Sequence, residues 1–164
     1  MERIVNKVAK AEKYFHEGYA CSQSVLMAFA EEVGLDIETA KKVSSTFGSG
    51  MGRLRKTCGA LTGAFMSIGL KHGNIIPDDM QTKLNSYELV RELAKRFSEK
   101  HGSTECRELL IKYANQSDEK VRNHHKITCT LLVKDAVKML EDLFEENIPN
   151  INYKIEKIVK SVRK

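Results

Sequence analysis

Thr128-Cys129-Thr130-Leu131-Leu132-Val133-Lys134-Asp135-Ala136-Val137-Lys138-Met139-Leu140-Glu141-Asp142-Leu143-Phe144-Glu145-Glu146 decides the fold class. Leu131, Leu132, Val133, Ala136, Val137, Leu140, Leu143 and Phe144 recur at three and four, with charged residues between them. That period predicts an amphipathic helix over 128–146. The same period runs outward through most of the chain. Ile4, Val5, Val8, Ala11, Tyr14 and Phe15 predict a first helix, which Gly18-Tyr19-Ala20 ends. A second is expected from about Ser22 to Val33, with Gly34 at its C-terminal end, and a third over about 37–46 behind Asp36 as N-cap. Thr57 opens a helix over about 58–72, Pro77 a long one over 77–100, and Ser103 one over about 104–113. Residues 115–125 are polar, and Pro149 sets off a last basic helix. No alternating strand of useful length is present, so the chain reads as all-α, a single-domain helical bundle.

Two features interrupt the pattern. Gly48, Gly50 and Gly52 alternate in Phe47-Gly48-Ser49-Gly50-Met51-Gly52-Arg53, which predicts an irregular glycine-rich loop. The 58–72 helix carries Gly59, Ala60, Gly63, Ala64, Ser67 and Gly69. Each glycine costs about 1 kcal/mol in a helix interior, so close approach of another helix or a bound group must offset it. The expected frame is the 77–100 and 129–146 helices, with the small face of 58–72 packed on them.

The chain has 164 residues, 41% of them hydrophobic and 30% charged. A chain of this length buries roughly 70% of its unfolded surface and needs no disulfide framework. No apolar run approaches the ~18 residues of an integral membrane segment. Met1 to Lys7 lacks the apolar stretch of a signal peptide, so a cytoplasmic location with reduced thiols is expected. The net charge of +5 is uneven: residues 1–146 hold 22 Lys/Arg against 21 Asp/Glu, and 147–164 hold five against one. The body at 1–146 is therefore one near-neutral domain, with a basic amphipathic helix at 147–164. A nearly neutral body argues against a nucleic-acid footprint. In the terminal helix Ile151, Ile155, Ile158, Val159 and Val162 oppose Lys154, Lys157, Lys160 and Lys164. That stripe suits docking on the body or on a second subunit in a homo-oligomer, or an anionic surface.

The chemistry rests on four cysteines, Cys21, Cys58, Cys106 and Cys129, separated by 37, 48 and 23 residues. There is no C-x-x-C, which removes zinc ribbons and thioredoxin-type motifs. On the predicted boundaries each cysteine falls at or within the first turn of a different helix, where free N–H groups and the helix dipole favour a thiolate. Arg53, Arg55 and Lys56 precede Cys58 and should lower its pKa further. His16, His101 and His125 precede three of the cysteines by four or five residues, a spacing open to mixed Cys/His ligation or a Cys–His base pair but better read as polar helix ends. H-E-x-x-H, G-x-S-x-G and the Walker pattern are absent.

The stretch Cys58-Gly59-Ala60-Leu61-Thr62-Gly63-Ala64-Phe65-Met66-Ser67-Ile68-Gly69-Leu70-Lys71-His72-Gly73 resembles the core of the four-cysteine C-GCAxxG-C-C family of redox-active proteins. Tyr19-Ala20-Cys21-Ser22-Gln23-Ser24-Val25 resembles its first cysteine element. Phe97 through Gly102 to Cys106, Glu108 and Leu109 is similar to its third, and Cys129-Thr130-Leu131-Leu132-Val133 with Ala136 to its last. The likeness covers roughly residues 5–145. One departure is that Thr57, not glycine, precedes Cys58. The resemblance implies a redox role for the four cysteines and supplies no substrate.

Three functions follow as expectations. In the first, Cys21, Cys58, Cys106 and Cys129 ligate an iron–sulfur cluster, [2Fe–2S] or [4Fe–4S], for electron transfer or redox sensing with a redox partner protein. Gly48, Gly50, Gly52, Gly59 and Gly63 would then let backbone come close to the cluster. In the second, Cys58 is the catalytic nucleophile of a thiol–disulfide enzyme. In the third, a non-catalytic helical module uses its cysteines structurally or for zinc. The first two require at least three cysteines to converge, with Cys58 central.

Overall fold

The computed structural model describes residues 6–116 and 124–146. Seven helices carry them: α1 Lys7–His16, α2 Cys21–Phe29, α3 Ile37–Ser44, α4 Gly59–His72, α5 Met80–His101, α6 Cys106–Gln116 and α7 His124–Glu145. Among the described residues there is one isolated bridge, Thr57 with Glu105, and no strand. The all-α bundle read from the sequence is the observed fold. The division at 146, and the basic segment 147–164, lie outside the described residues. No helix among those residues is long and apolar enough to cross a membrane.

Helix starts follow the capping chemistry. Asn6 Oδ1 accepts the Ala9 N–H at 3.0 Å, and Asp36 Oδ1 accepts the Thr39 N–H at 2.9 Å. Asp79 Oδ1 takes the Thr82 N–H at 3.1 Å, so α5 begins at Met80 and not at Pro77. A side-chain cap outranks the fixed φ of a proline two positions earlier. α2 stops at Phe29, short of Val33, and the chain turns to Gly34, with the Leu35 N–H donating to the Ala30 carbonyl at 2.9 Å. α6 opens at Cys106, two residues later than expected, and α7 at His124, four residues earlier.

The core lies where α2, α4, α5 and α7 meet. Val25, Phe29, Leu61, Ala64, Ile68, Leu93, Phe97, Leu109, Val133, Val137 and Leu140 are all fully buried there. Phe29 meets the Phe144 ring edge-on, with centroids 5.8 Å apart. The long helices α5 and α7 do contact α4, but its small face packs elsewhere, on α2. A β-carbon on Gly63 would lie 2.5 Å from the Ser22 carbonyl oxygen and 3.1 Å from Val25 Cβ. The expected frame is corrected accordingly: glycine in α4 brings α2, and with it Cys21, against the start of α4. Gly63→Leu should lower stability by roughly 1–3 kcal/mol or more, read as a drop in urea midpoint; an unchanged midpoint would contradict this packing.

Candidate cysteine site

Three of the four cysteines stand at helix starts. Cys21 is the first residue of α2, Cys106 the first of α6, and Cys58 the extended residue immediately before α4. Cys129 departs from the expectation. Because α7 begins at His124, Cys129 sits in its second turn and gains nothing from free N–H groups.

Thr57 has a different task from the helix-opening role read from the sequence. It pairs with Glu105 across a bridge in which the Cys58 N–H donates to the Thr104 carbonyl at 2.8 Å and the Cys106 N–H to the Lys56 carbonyl at 2.7 Å. Two cysteines 48 residues apart in sequence are thereby fixed side by side through their own backbones.

The glycine loop is wound the unusual way. Ser49, Gly50, Met51, Gly52 and Arg53 all have φ between 56° and 70°, a short left-handed turn, and Arg55 follows at 60°. Left-handed conformation costs an L-residue roughly 1–2 kcal/mol. Two glycines remove part of that cost, and the surroundings hold the rest. At Gly50 a β-carbon would fall 2.6 Å from Cys106 Cβ and 2.8 Å from Arg55 Cα, so the turn presses against the third cysteine. At Gly59 a β-carbon would fall onto Cys21 Sγ. Gly48 meets Ala20 at the start of α2, and Gly63 meets Ser22 and Val25. At Gly52 a β-carbon would meet only the Thr46 carbonyl oxygen, at 3.5 Å, and no cysteine.

These elements enclose one cavity of about 300 Å³, and all four cysteines line it. Phe15, His16, Tyr19, Leu110, Lys126 and Leu132 contribute to its wall, with Ser49, Arg55 and Gly59. Cys21, Cys58 and Cys106 are buried and Cys129 is half-buried; none is in a disulfide. The thiols are electrostatic neighbours: charge on Cys21 acts on Cys58 and Cys129, and charge on Cys106 acts on Cys21 and Cys129. Among the described residues, no three His, Cys, Asp or Glu side chains are drawn tightly enough together to hold a single metal ion. The zinc alternative therefore finds no preformed single-ion site.

Burial raises the pKa values of Cys21, Cys58 and Cys129. Loss of solvent pushes Cys58 well above its ordinary value, with Cys21 adding to the effect, while the Ala60 and Leu61 N–H groups oppose it. The expectation that nearby bases would lower it is overturned, because the Arg55 guanidinium points at another thiol, donating to Cys106 Sγ at 3.8 Å. Burial raises Cys21 too, against hydrogen bonds from the Ser49 and Ser22 N–H groups. Cys129 is pushed up to about 12 by burial and then by Cys21 and Cys106. The fold thus favours the neutral form of these three thiols. An unfolded chain loses those protons from about pH 9, the folded one later, so stability present below pH 9 should be lost as pH rises toward 12. In cluster-free protein Cys129→Ser should flatten that slope by up to one proton, about 1.4 kcal/mol per pH unit. Urea midpoints measured from pH 8 to 11 check this, and identical slopes would contradict it.

The histidine spacing has mixed results. His16 lines the cavity, with Nε2 3.3 Å from Thr130 Oγ1. His101 does not. It is buried between the Tyr113 hydroxyl, 2.6 Å from Nδ1, and Asp135 Oδ2, 2.9 Å from Nε2. The side chain of His125 is outside those described. Sequence reading missed Lys126, Leu110 and Phe15 as cavity residues. Only their helical register, one turn from a cysteine or its facing helix, pointed there.

No curated protein and no solved structure is similar enough to add to this geometry. The family described as "Putative redox-active protein (C_GCAxxG_C_C)" matches residues 19–143, which include all four cysteines, the left-handed turn and the bridge. The chain belongs to that C-GCAxxG-C-C family.

Proposed function

We propose that this protein carries or senses single electrons through an iron–sulfur cluster held by Cys21, Cys58, Cys106 and Cys129. The observation that supports this is that all four thiols line one cavity. When bound, such a cluster supplies a one-electron couple. The chain's part is to hold and bias it. The N–H groups of Ser22, Ser49, Ala60 and Leu61 already point at Cys21 and Cys58 sulfurs, where they would favour the electron-rich state. The Arg55 guanidinium does the same at Cys106. Phe15, Leu110 and Leu132 limit water. The raised pKa values of Cys21, Cys58 and Cys129 mean that ligation must release protons, so iron uptake should strengthen as pH rises from 6 to 8.

A thiol–disulfide enzyme needs a thiolate near neutral pH, and burial works against one at Cys58. Anaerobically prepared protein should be brown, with visible absorption that bleaches on reduction and returns on reoxidation. A colourless protein with reversible disulfide formation would favour the thiol enzyme instead.

A further inference from the structure

We infer that the left-handed turn and the start of α6 form a docking face for a small acidic electron-transfer protein. The inference rests on the redox reading above and adds the partner's chemistry. Its core is Leu54, which is 69% exposed at the outer edge of the turn. The loop does not leave it exposed through slackness. The Leu54 N–H donates to the Met51 carbonyl at 3.2 Å, Lys56 N–H to Gly50 at 3.0 Å, and Arg107 N–H to Arg55 at 3.3 Å. An apolar side chain held rigidly in water gains most when a partner covers it.

Charge around Leu54 says what that partner carries. Arg53, Lys56 and Arg107 are exposed beside it, and Arg55 is half-buried. No carboxylate occurs anywhere from Thr39 to Pro77. On the α6 side Glu105 is half-buried; Glu108 is exposed but is turned to the Ser103 hydroxyl, whose hydrogen bond it accepts, so one carboxylate stands against three exposed cations. Ile111, 55% exposed, lies one turn beyond Arg107 on the same side of α6 and extends the apolar part. The body as a whole is nearly neutral, so this concentration of cations is local. A basic rim about an apolar centre selects an acidic partner and speeds its approach. The face is also joined to the site, since Arg55 belongs to the turn and its guanidinium reaches Cys106 Sγ at 3.8 Å. An electron donor seated on Leu54 therefore meets the site on its Arg55–Cys106 side.

The test uses the full chain loaded with iron and sulfide, with reduced flavodoxin, a small acidic one-electron donor, as probe. Stopped-flow absorbance gives the second-order rate of electron transfer against ionic strength. The wild-type rate should fall as salt rises. R53E/K56E should slow it by about tenfold or more at low salt. Leu54→Ser should slow it several-fold at all salt concentrations. Lys95→Glu, on the exposed face of α5, should not change it. Visible spectra and midpoint potentials should match wild type in all three. An unchanged rate in R53E/K56E, or equal slowing in Lys95→Glu, would overturn the proposal. So would loss of phosphatidylserine-vesicle binding in R53E/K56E with the flavodoxin rate intact, which assigns the face to lipid. If the wild type takes up no iron and sulfide, the cluster reading fails by itself. The face is then judged by nuclear magnetic resonance titration of flavodoxin with cluster-free chain. Binding that R53E/K56E abolishes supports the face, and absence of binding overturns it.

Discussion

Gly59→Val should unfold much of the population or, at the least, cost roughly 3 kcal/mol and abolish iron retention. The β-carbon alone would fall onto Cys21 Sγ, with the Phe47 carbonyl oxygen at 3.1 Å and Gly48 Cα at 3.3 Å on other sides. Two of these obstacles are backbone, and the third is a proposed ligand. Relief therefore means moving α2 away from α4, which opens the cavity and displaces Cys21 together. Gly69 provides the contrast. Nothing lies within 4 Å of its would-be β-carbon, so Gly69→Ala should stabilise by about 0.5–1 kcal/mol through helix propensity. Urea midpoints and iron content of the two variants check the pair. A Gly59→Val protein with wild-type midpoint and full iron would show that α2 and α4 do not meet as described.

Replacement of any one cysteine by Ala should leave a folded chain that retains little iron after gel filtration. The fall should exceed the ~10–100-fold that loss of a supporting partner costs a metal site, because a ligand itself is gone. Cys58→Ala is expected to be the most severe. Cys58 is buried, bridged to the Cys106 segment, and in electrostatic contact with both Cys21 and Cys129. Circular dichroism distinguishes loss of ligation from loss of fold. Full iron retention by one of the four variants would remove that cysteine from the ligand set.

The bundle was legible because its signals are local. The three-and-four spacing of Leu140, Val137 and Val133 and the cap at Asp36 act within one turn of the chain, and sequence displays them directly. The convergence of the cysteines was legible only as a requirement. What produces it is tertiary. The Thr57–Glu105 bridge uses backbone groups of residues far apart in sequence, and no side-chain pattern marks it. The left-handed turn is hidden for a related reason. Gly50 and Gly52 signal freedom at two positions, but Ser49, Met51 and Arg53 adopt the same conformation against their own preference. Cys129 was misplaced because His124 to Thr128 extends its helix backward without an apolar repeat to announce it. The pKa of Cys58 was misjudged because neighbouring charges are visible in sequence, whereas burial and the aim of the Arg55 guanidinium are not.

The central claim is that four thiols serve one shared redox centre. Its most direct test is electron paramagnetic resonance of the anaerobically reconstituted, dithionite-reduced chain, run beside iron and acid-labile sulfide assays. The account predicts iron and sulfide in equal amounts and a reduced-state signal that accounts for one cluster per chain. It also predicts that none of the four cysteines reacts with a thiol reagent until the iron is removed. A chain with no iron or sulfide after reconstitution, four reactive thiols and no signal would contradict it.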